Sequence, residues 1–197
     1  QVPYLTPTAI RGMGSVALAS FTVDEVAALT TEQVAVLGTA QLVGLTHLGM
    51  RGFELQDLAV LTSAQAAGLW AFPYPVETSS LLGTRPELGL NLLRSDQLRA
   101  LRPQVIAAFT TRQIASLNRE VIWALLPEQL SVLRSEQVAG WGPAQFSGFS
   151  PEQLRALDPR AFGGSGAGRL GSEQVTSFST DQIKTLSSAQ FAALGSG

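Results

Sequence analysis

The amino-acid sequence predicts an all-α fold, a compact α-solenoid of short helices built on an eight-residue repeat. Three observations support it: apolar residues recur every eight positions, helix-start residues recur in the same phase, and prolines eight residues apart exclude one long helix. A β-solenoid with an eight-residue edge is the alternative architecture. The abundance of Ala, Gln, Glu and Leu favours the helical fold.

The repeating unit, called the octad here, is numbered from an apolar anchor at position one, and the anchor that closes one octad opens the next. Residues 29–37, 93–101, 109–117 and 186–194 show it as LTTEQVAVL, LRSDQLRAL, FTTRQIASL and LSSAQFAAL. Position six is apolar in all 22 octads, position eight is small in nearly all, and position five is Gln in 12. This regularity indicates that every octad forms the same structural unit.

The start of each helix is marked by a Ser or Thr at position two and a Gln at position five, the spacing of a capping box. Thr30 with Gln33, Thr110 with Gln113, and Ser150 with Gln153 have this spacing. Position three is then the first helical residue, where a proline is tolerated because its missing N–H would be unbonded anyway. Five octads carry one there: Pro7, Pro103, Pro127, Pro143 and Pro151.

Each octad is therefore predicted to form a helix of about six residues, which is too short to be stable alone. Positions one, six and eight must be buried against neighbouring helices. Small residues at position eight would let the backbones of neighbouring helices approach closely. The repeat itself leaves open how many octads form one turn of the solenoid.

The domain organisation follows from the phase of the octad. Residues 5–157 are predicted to form the solenoid, within which residues 70–91 are degenerate octads carrying a proline-rich loop. Residues 158–169 contain a glycine-rich insertion of about five residues, and residues 170–194 add three terminal octads of the same domain. The glycine run at 163–168 lacks the strand, helix and Lys-Ser/Thr of a phosphate-binding loop, so it is interpreted as a hinge.

The composition excludes several classes of function. The chain has no cysteine and a single histidine, His47, which excludes disulfides, thiolate metal sites, cysteine nucleophiles and any site that needs two histidines. No apolar stretch approaches the roughly 20 residues of a membrane span, and a net charge of −2 without a basic run argues against nucleic acid. We therefore expect no cofactor, no metal and no enzymatic activity. If the chain were an enzyme after all, its site would draw on residues 70–91.

The candidate binding residues are those that depart from the repeat. Trp123 occupies position seven, which is small or polar elsewhere and is expected on or near the surface, and an exposed indole there would be a candidate interface anchor. Arg99 and Arg119 could form a mildly basic stripe with it, and Trp70 and Tyr74 lie in the degenerate octads. Two other features are interpreted as structural. Trp141, at an anchor position, is predicted to lie in the core, and the acidic residues at position four are attributed to favourable charge at helix N-termini.

The octads resemble the LTTxQ(V/I)xAL arrays of large secreted or surface proteins of proteobacteria, described as adhesion or haem-utilisation exoproteins. The resemblance covers almost the whole chain and is clearest at residues 21–45, 93–157 and 170–194. It implies an exported or cell-surface setting and a structural or adhesive role, and it supplies no catalytic residue. A haem role is not supported by one His, no Cys and two Met.

Taken together, these observations predict a non-enzymatic repeat scaffold, either a structural spacer or a protein-binding or adhesion module of an exported bacterial protein. Its partner would be another protein or a second copy of the chain, and a small molecule is not expected. The alternative is a protein-interaction domain of a secreted effector that acts in the cytoplasm of a host cell.

Overall fold

The described part of the chain consists of short helices joined by turns in a computed structural model. The structure describes residues 2–45, 49, 51–66, 69, 93–138, 141, 143–162, 175–176 and 178–194. Within these residues there are seventeen short α-helices, two 3₁₀ helices and no strand. The predicted all-α solenoid is therefore confirmed, and the β-solenoid alternative is not supported.

The helices group into two compact units, Gln1–Ala108 and Phe109–Gly197. The first unit opens with the 3₁₀ helix Val2–Tyr4 and continues with α1 (Pro7–Gly12), α2 (Ser15–Ala19), α3 (Val23–Ala27), α4 (Thr31–Ala35), α5 (Thr39–Gly44), α6 (Leu55–Val60), α7 (Ser63–Ala66), α8 (Ser95–Ala100) and α9 (Pro103–Ala107). The second contains α10 (Thr111–Ala115), α11 (Arg119–Ala124), α12 (Pro127–Leu130), α13 (Ser135–Val138), α14 (Pro143–Phe146), α15 (Pro151–Ala156), the 3₁₀ helix Pro159–Phe162, α16 (Thr180–Thr185) and α17 (Ser188–Leu194).

The helix starts follow the predicted capping chemistry. The Thr30 hydroxyl accepts the backbone N–H of Gln33 at 3.3 Å, and the Gln33 side-chain oxygen accepts the backbone N–H of Thr30 at 2.8 Å. The same reciprocal pair joins Thr110 to Gln113 and Ser150 to Gln153. Prolines open α1, α9, α12, α14 and α15. Each of these helices therefore begins at position three of its octad, as predicted.

Three octads make one turn of the solenoid, because each helix packs against the helix three octads further along the chain. In the first unit, α1 packs against α4 and α4 against α6, while α2 packs against α5 and α5 against α7. In the second unit, the same spacing joins α10 to α13, α11 to α14 and α12 to α15. The helices of each of these pairs thus begin three octads apart in the sequence.

At two places the paired helices are further apart in the sequence than three octads, and they still pack against each other. Helix α6 packs against α8, although their first residues, Leu55 and Ser95, are 40 positions apart, which is two octads more than the regular spacing. Helix α15 packs against α16, and their first residues, Pro151 and Thr180, are 29 positions apart, which is five more than regular. The degenerate octads and the glycine-rich segment lie in these two stretches.

The core is formed mainly by positions one and six. Apart from the last turn, every position-six side chain whose burial the structure describes is buried: Ile10, Leu18, Val26, Val34, Leu42, Leu58, Ala66, Leu98, Ile106, Ile114, Ile122, Leu130, Val138, Phe146 and Leu154. Trp141 lies in the core as predicted, with its ring centre 5.9 Å from that of Phe146 and 5.7 Å from that of Phe149. These helices are held by tertiary burial rather than by their own propensity.

Position eight is small because the backbone of the neighbouring turn passes over it. A Cβ atom added at Gly44 would lie 2.5 Å from the Ser15 carbonyl oxygen and 2.9 Å from the Ser15 Cα. At Gly52 it would overlap the Val23 carbonyl oxygen. In both cases the contacted residue belongs to the preceding turn of the solenoid. The predicted close approach is therefore confirmed as a contact between successive turns.

Candidate functional site

The position-five glutamines join each turn of the solenoid to the preceding one. The Gln41 side-chain oxygen accepts the backbone N–H of Gly38 at 2.8 Å, which caps its own helix. The Gln41 side-chain nitrogen, Nε2, donates to the carbonyl oxygens of Ile10 at 2.7 Å and Met13 at 2.9 Å. The acceptors lie 31 and 28 residues earlier, at positions six and one of octads in the preceding turn.

This pattern recurs through both units and is called the glutamine ladder here. Gln65 donates to the Val34 and Leu37 carbonyl oxygens with the same separations. Beyond the glycine-rich segment the separations increase to 36 and 33, as when Gln190 donates to Leu154 and Leu157. The glutamines that form these bonds to the preceding turn include Gln33, Gln41, Gln65, Gln97, Gln137, Gln153, Gln182 and Gln190.

The ladder explains why position five is Gln and not Glu. A carboxylate could accept the N–H at position two, but it could not donate to the carbonyls of the preceding turn. The first three octads have no preceding turn among the described residues, and their position-five residues are Ala9, Ala17 and Glu25. Glu25 caps its helix through the Thr22 N–H at 2.9 Å. The capping half of the glutamine's role is predicted by the spacing within one octad, whereas the bond between turns is not.

One departure from the ladder is compensated by another residue. In the octad of α9, position five is Val105, which has no polar group to donate. The Arg102 guanidinium at position two donates instead to the Val60 and Leu61 carbonyl oxygens of the preceding turn. Leu61 is the anchor whose carbonyl a glutamine at position 105 would reach. The arginine therefore supplies the hydrogen bond to the preceding turn that Val105 cannot form.

A second departure is Asp57, whose carboxylate cannot donate to the carbonyls of the preceding turn. Asp57 replaces the glutamine in the octad of α6 and is only 1 % exposed. One of its carboxyl oxygens accepts the Glu54 N–H at 3.2 Å, but the other, Oδ1, has no hydrogen-bond partner. Burial raises the pKa of this carboxyl group and the neighbouring Glu54 carboxylate reinforces the rise, whereas the hydrogen bond from the Glu54 backbone and the Thr31 side chain of the preceding turn oppose it. A side chain one methylene shorter than Gln has left a buried polar atom unsatisfied.

Trp123 is half-buried, so its indole lies near the surface without being fully exposed. Its indole N–H donates to the Gln145 carbonyl oxygen at 2.7 Å, and its ring covers Gly148, where a Cβ atom would overlap the indole. The physical reason is the three-octad turn, which places α14 and the segment after it against α11. The ring therefore packs between neighbouring turns and leaves only part of its surface for a partner.

Arg119 is the one candidate arginine that the structure brings beside Trp123. Its guanidinium carbon lies 5.8 Å from the centre of the indole, within the range of a cation–π contact. The guanidinium also pairs with Glu120 at 2.9 Å, which lowers the pKa of the Glu120 carboxyl group. Arg99 is exposed on α8 and belongs to the first unit, whereas Trp123 belongs to the second. Trp70, Tyr74 and His47 lie outside the described residues.

A groove in the first unit was not anticipated from the sequence. It is open to solvent and has a volume of about 350 Å³. It is lined by residues from α1, from the end of α4, from α5 and α7 and from the corners before them: Arg11, Ala35, Val36, Leu37, Gly38, Thr39, Gln41, Thr62, Ala64 and Gln65. Its only charged group is the Arg11 guanidinium. The groove can offer hydrogen bonds and one positive charge, without a pair of groups suited to acid–base catalysis.

Comparison with known proteins adds no family to these observations. No family model matches the chain, and no curated protein is similar to it in sequence. Across the residues that the structure describes, no group of three His, Cys, Asp or Glu side chains is arranged to hold a metal ion. None of the helices described above has the length and apolar character needed to cross a membrane.

Proposed function

We propose that this chain is a non-enzymatic repeat scaffold, a structural spacer or protein-binding module of an exported bacterial protein related to the octapeptide-repeat arrays. The glutamine ladder is the observation that carries the proposal. The polar side chain that the repeat retains most often forms bonds within the scaffold and presents no chemistry to a substrate. What such a chain offers a larger protein is a rigid succession of similar turns.

The strength of the scaffold would come from bonds between turns. Each complete rung supplies one or two hydrogen bonds to the preceding turn, and a protein hydrogen bond contributes about 0.5–1.5 kcal/mol net. Because the glutamines are buried, removing one would also leave the anchor carbonyl of the preceding turn unsatisfied, at a further cost of about 1–3 kcal/mol. A repeat protein built in this way resists separation of its turns one interface at a time.

Single-molecule stretching of the full chain, held by its two termini, tests the spacer function. We expect mechanical resistance with unfolding in discrete steps. Gln137→Ala, which removes the 2.6 Å bond from Gln137 to the Phe109 carbonyl oxygen, should weaken one step. The matched control is Gln104→Ala, at the exposed position four of α9, which should leave every step unchanged. A chain that extends without resistance would refute the spacer function.

The protein-binding role needs a different measurement, because Trp123→Ala would also remove packing against Gly148. Arg119→Ala and Trp123→Phe are better variants, since each retains an aromatic ring over Gly148. If the surface of α11 binds a partner, both should weaken saturable binding of the labelled chain to intact host cells without loss of helicity. Binding to host cytosolic protein and none to intact cells would instead favour the effector alternative.

A further inference from the structure

The last turn of the second unit leaves part of its core-forming surface uncovered. Phe191 occupies position six of the last octad and is 60 % exposed, whereas Phe146 and Leu154 at the same position in earlier octads are fully buried. Ile183, at position six of the preceding octad, is half-buried, and so are the anchors Leu186 and Leu194. The same residue classes that form the core elsewhere are therefore presented here to solvent.

The same turn also presents backbone acceptors in the register of the glutamine ladder. The anchor carbonyls of Leu125, Phe149 and Leu157 each accept a bond from a glutamine of the following turn. Leu186 is the corresponding anchor one turn after Leu157, and no described residue donates a hydrogen bond to its carbonyl oxygen. Within the described part of the chain, the one bond recorded to the Ile183 carbonyl comes from the Leu186 N–H, at 3.3 Å, and a carbonyl has a second acceptor site.

We propose that this surface, formed by α16 and α17, is an interaction surface whose partner is another turn of octads with Gln at position five. The partner is specified by two requirements. It must bring an apolar side to cover Phe191, and it must bring amide donors at eight-residue intervals to reach the position-six and position-one carbonyls. A Gln-bearing octad turn meets both, and the contact continues the interface that already joins successive turns.

A second copy of this chain does not meet these requirements in a head-to-tail arrangement. Its first turn would offer Ala9, Ala17 and Glu25 at position five, which supply no amide donor. The position-six residues of that turn, Ile10 and Leu18 among them, are already fully buried. The proposal does not depend on the spacer function, since a chain that failed to resist force could still dock a further turn on this surface.

The experiment appends a further turn directly after Leu194 and asks whether it docks. The added sequence copies residues 126–149 of this chain, three octads whose position-five residues are Gln129, Gln137 and Gln145. The matched control carries Ala at the three corresponding glutamines of the added copy. Amide hydrogen exchange of residues 188–194 is measured in the unmodified chain and in both extended chains.

We expect the Gln-bearing turn to slow exchange in α17 by at least about tenfold, and the Ala-bearing turn to slow it by less than about threefold. Phe191→Ser in the chain with the Gln-bearing turn should remove most of this protection, while leaving the unmodified chain as stable as before. No protection from either turn would overturn the proposal. Equal protection from both would overturn the assigned glutamine chemistry, and dimerisation of the unmodified chain through Phe191 in sedimentation equilibrium would replace the partner with a second copy.

Discussion

Replacing Asp57 by the residue that the repeat prefers should stabilise the protein. Asp57 occupies position five, and its Oδ1 atom is buried without a partner. By the register of the glutamine ladder, a glutamine there would reach the carbonyl of Leu29, the corresponding anchor of the preceding turn. Asp57→Gln should retain the bond to the Glu54 N–H and add the missing bond to the preceding turn.

The expected gain is the sum of two terms. An unsatisfied buried polar atom costs about 1–3 kcal/mol, and a new hydrogen bond contributes about 1 kcal/mol. Part of this gain is lost because the longer side chain must be accommodated and ordered, at about 1–2 kcal/mol. We therefore expect a net increase of about 2 kcal/mol in the free energy of unfolding, which corresponds to a rise of about 4–8 °C in Tm for a chain of this size.

Urea denaturation and calorimetry at neutral pH measure this change directly. Asp57→Asn is the matched control, because it removes the charge without extending the side chain and should recover only part of the gain. Asp57→Ala should recover less, since it loses the bond to Glu54 as well. If Asp57→Gln proved neutral or destabilising while Asp57→Asn was stabilising, the ladder register at this octad would be refuted.

Three further predictions follow from the same contacts. Because burial raises the pKa of Asp57, the folded chain binds the Asp57 proton more tightly than the unfolded chain does. The difference in unfolding free energy between Asp57→Gln and the natural chain should therefore grow as the pH rises from about 4 through the raised pKa. Unfolding free energies that differ by the same amount across this pH range would contradict the raised pKa of Asp57. Gln137→Glu should lower the free energy of unfolding by about 3 kcal/mol or more at pH 7, since its carboxylate would face the Phe109 carbonyl. Gln104→Glu, on the exposed side of α9, should be neutral in the same denaturation assay. Gly44→Ala should cost about 1–3 kcal/mol because its Cβ would meet the Ser15 backbone, whereas Gly12→Ala, with no atom within 4 Å, should be neutral or stabilising by thermal melting.

The local features of the fold could be predicted from the sequence because their causes lie within one octad. A capping pair such as Thr30 with Gln33, a proline at the first helical position, and the burial of Trp141 at an anchor each depend on residues a few positions apart or on the repeat phase. The number of octads per turn depends on the angle between successive helices, and the octad pattern alone does not encode it.

One signal for that number was nevertheless present in the sequence. The first three octads lack the position-five glutamine, and Gln33 in the fourth octad is the first whose preceding turn lies among the described residues. The number of octads before the first position-five Gln is therefore equal to the number of octads in one turn. The half-buried state of Trp123 could not be anticipated without this number, because the glycine that its ring covers, Gly148, lies in the following turn of the solenoid.

The fixed reach of the glutamine ladder has a consequence for how the chain folds. In the regular octads the bonds between turns join residues 28 or 31 positions apart, and the two longer segments extend this separation to 46 at most. No rung needs the two ends of the chain to meet, so the entropy lost in closing each loop does not grow with the number of octads. Folding can then begin at any pair of adjacent turns and spread in both directions, at a rate set by local loop closure and independent of total length.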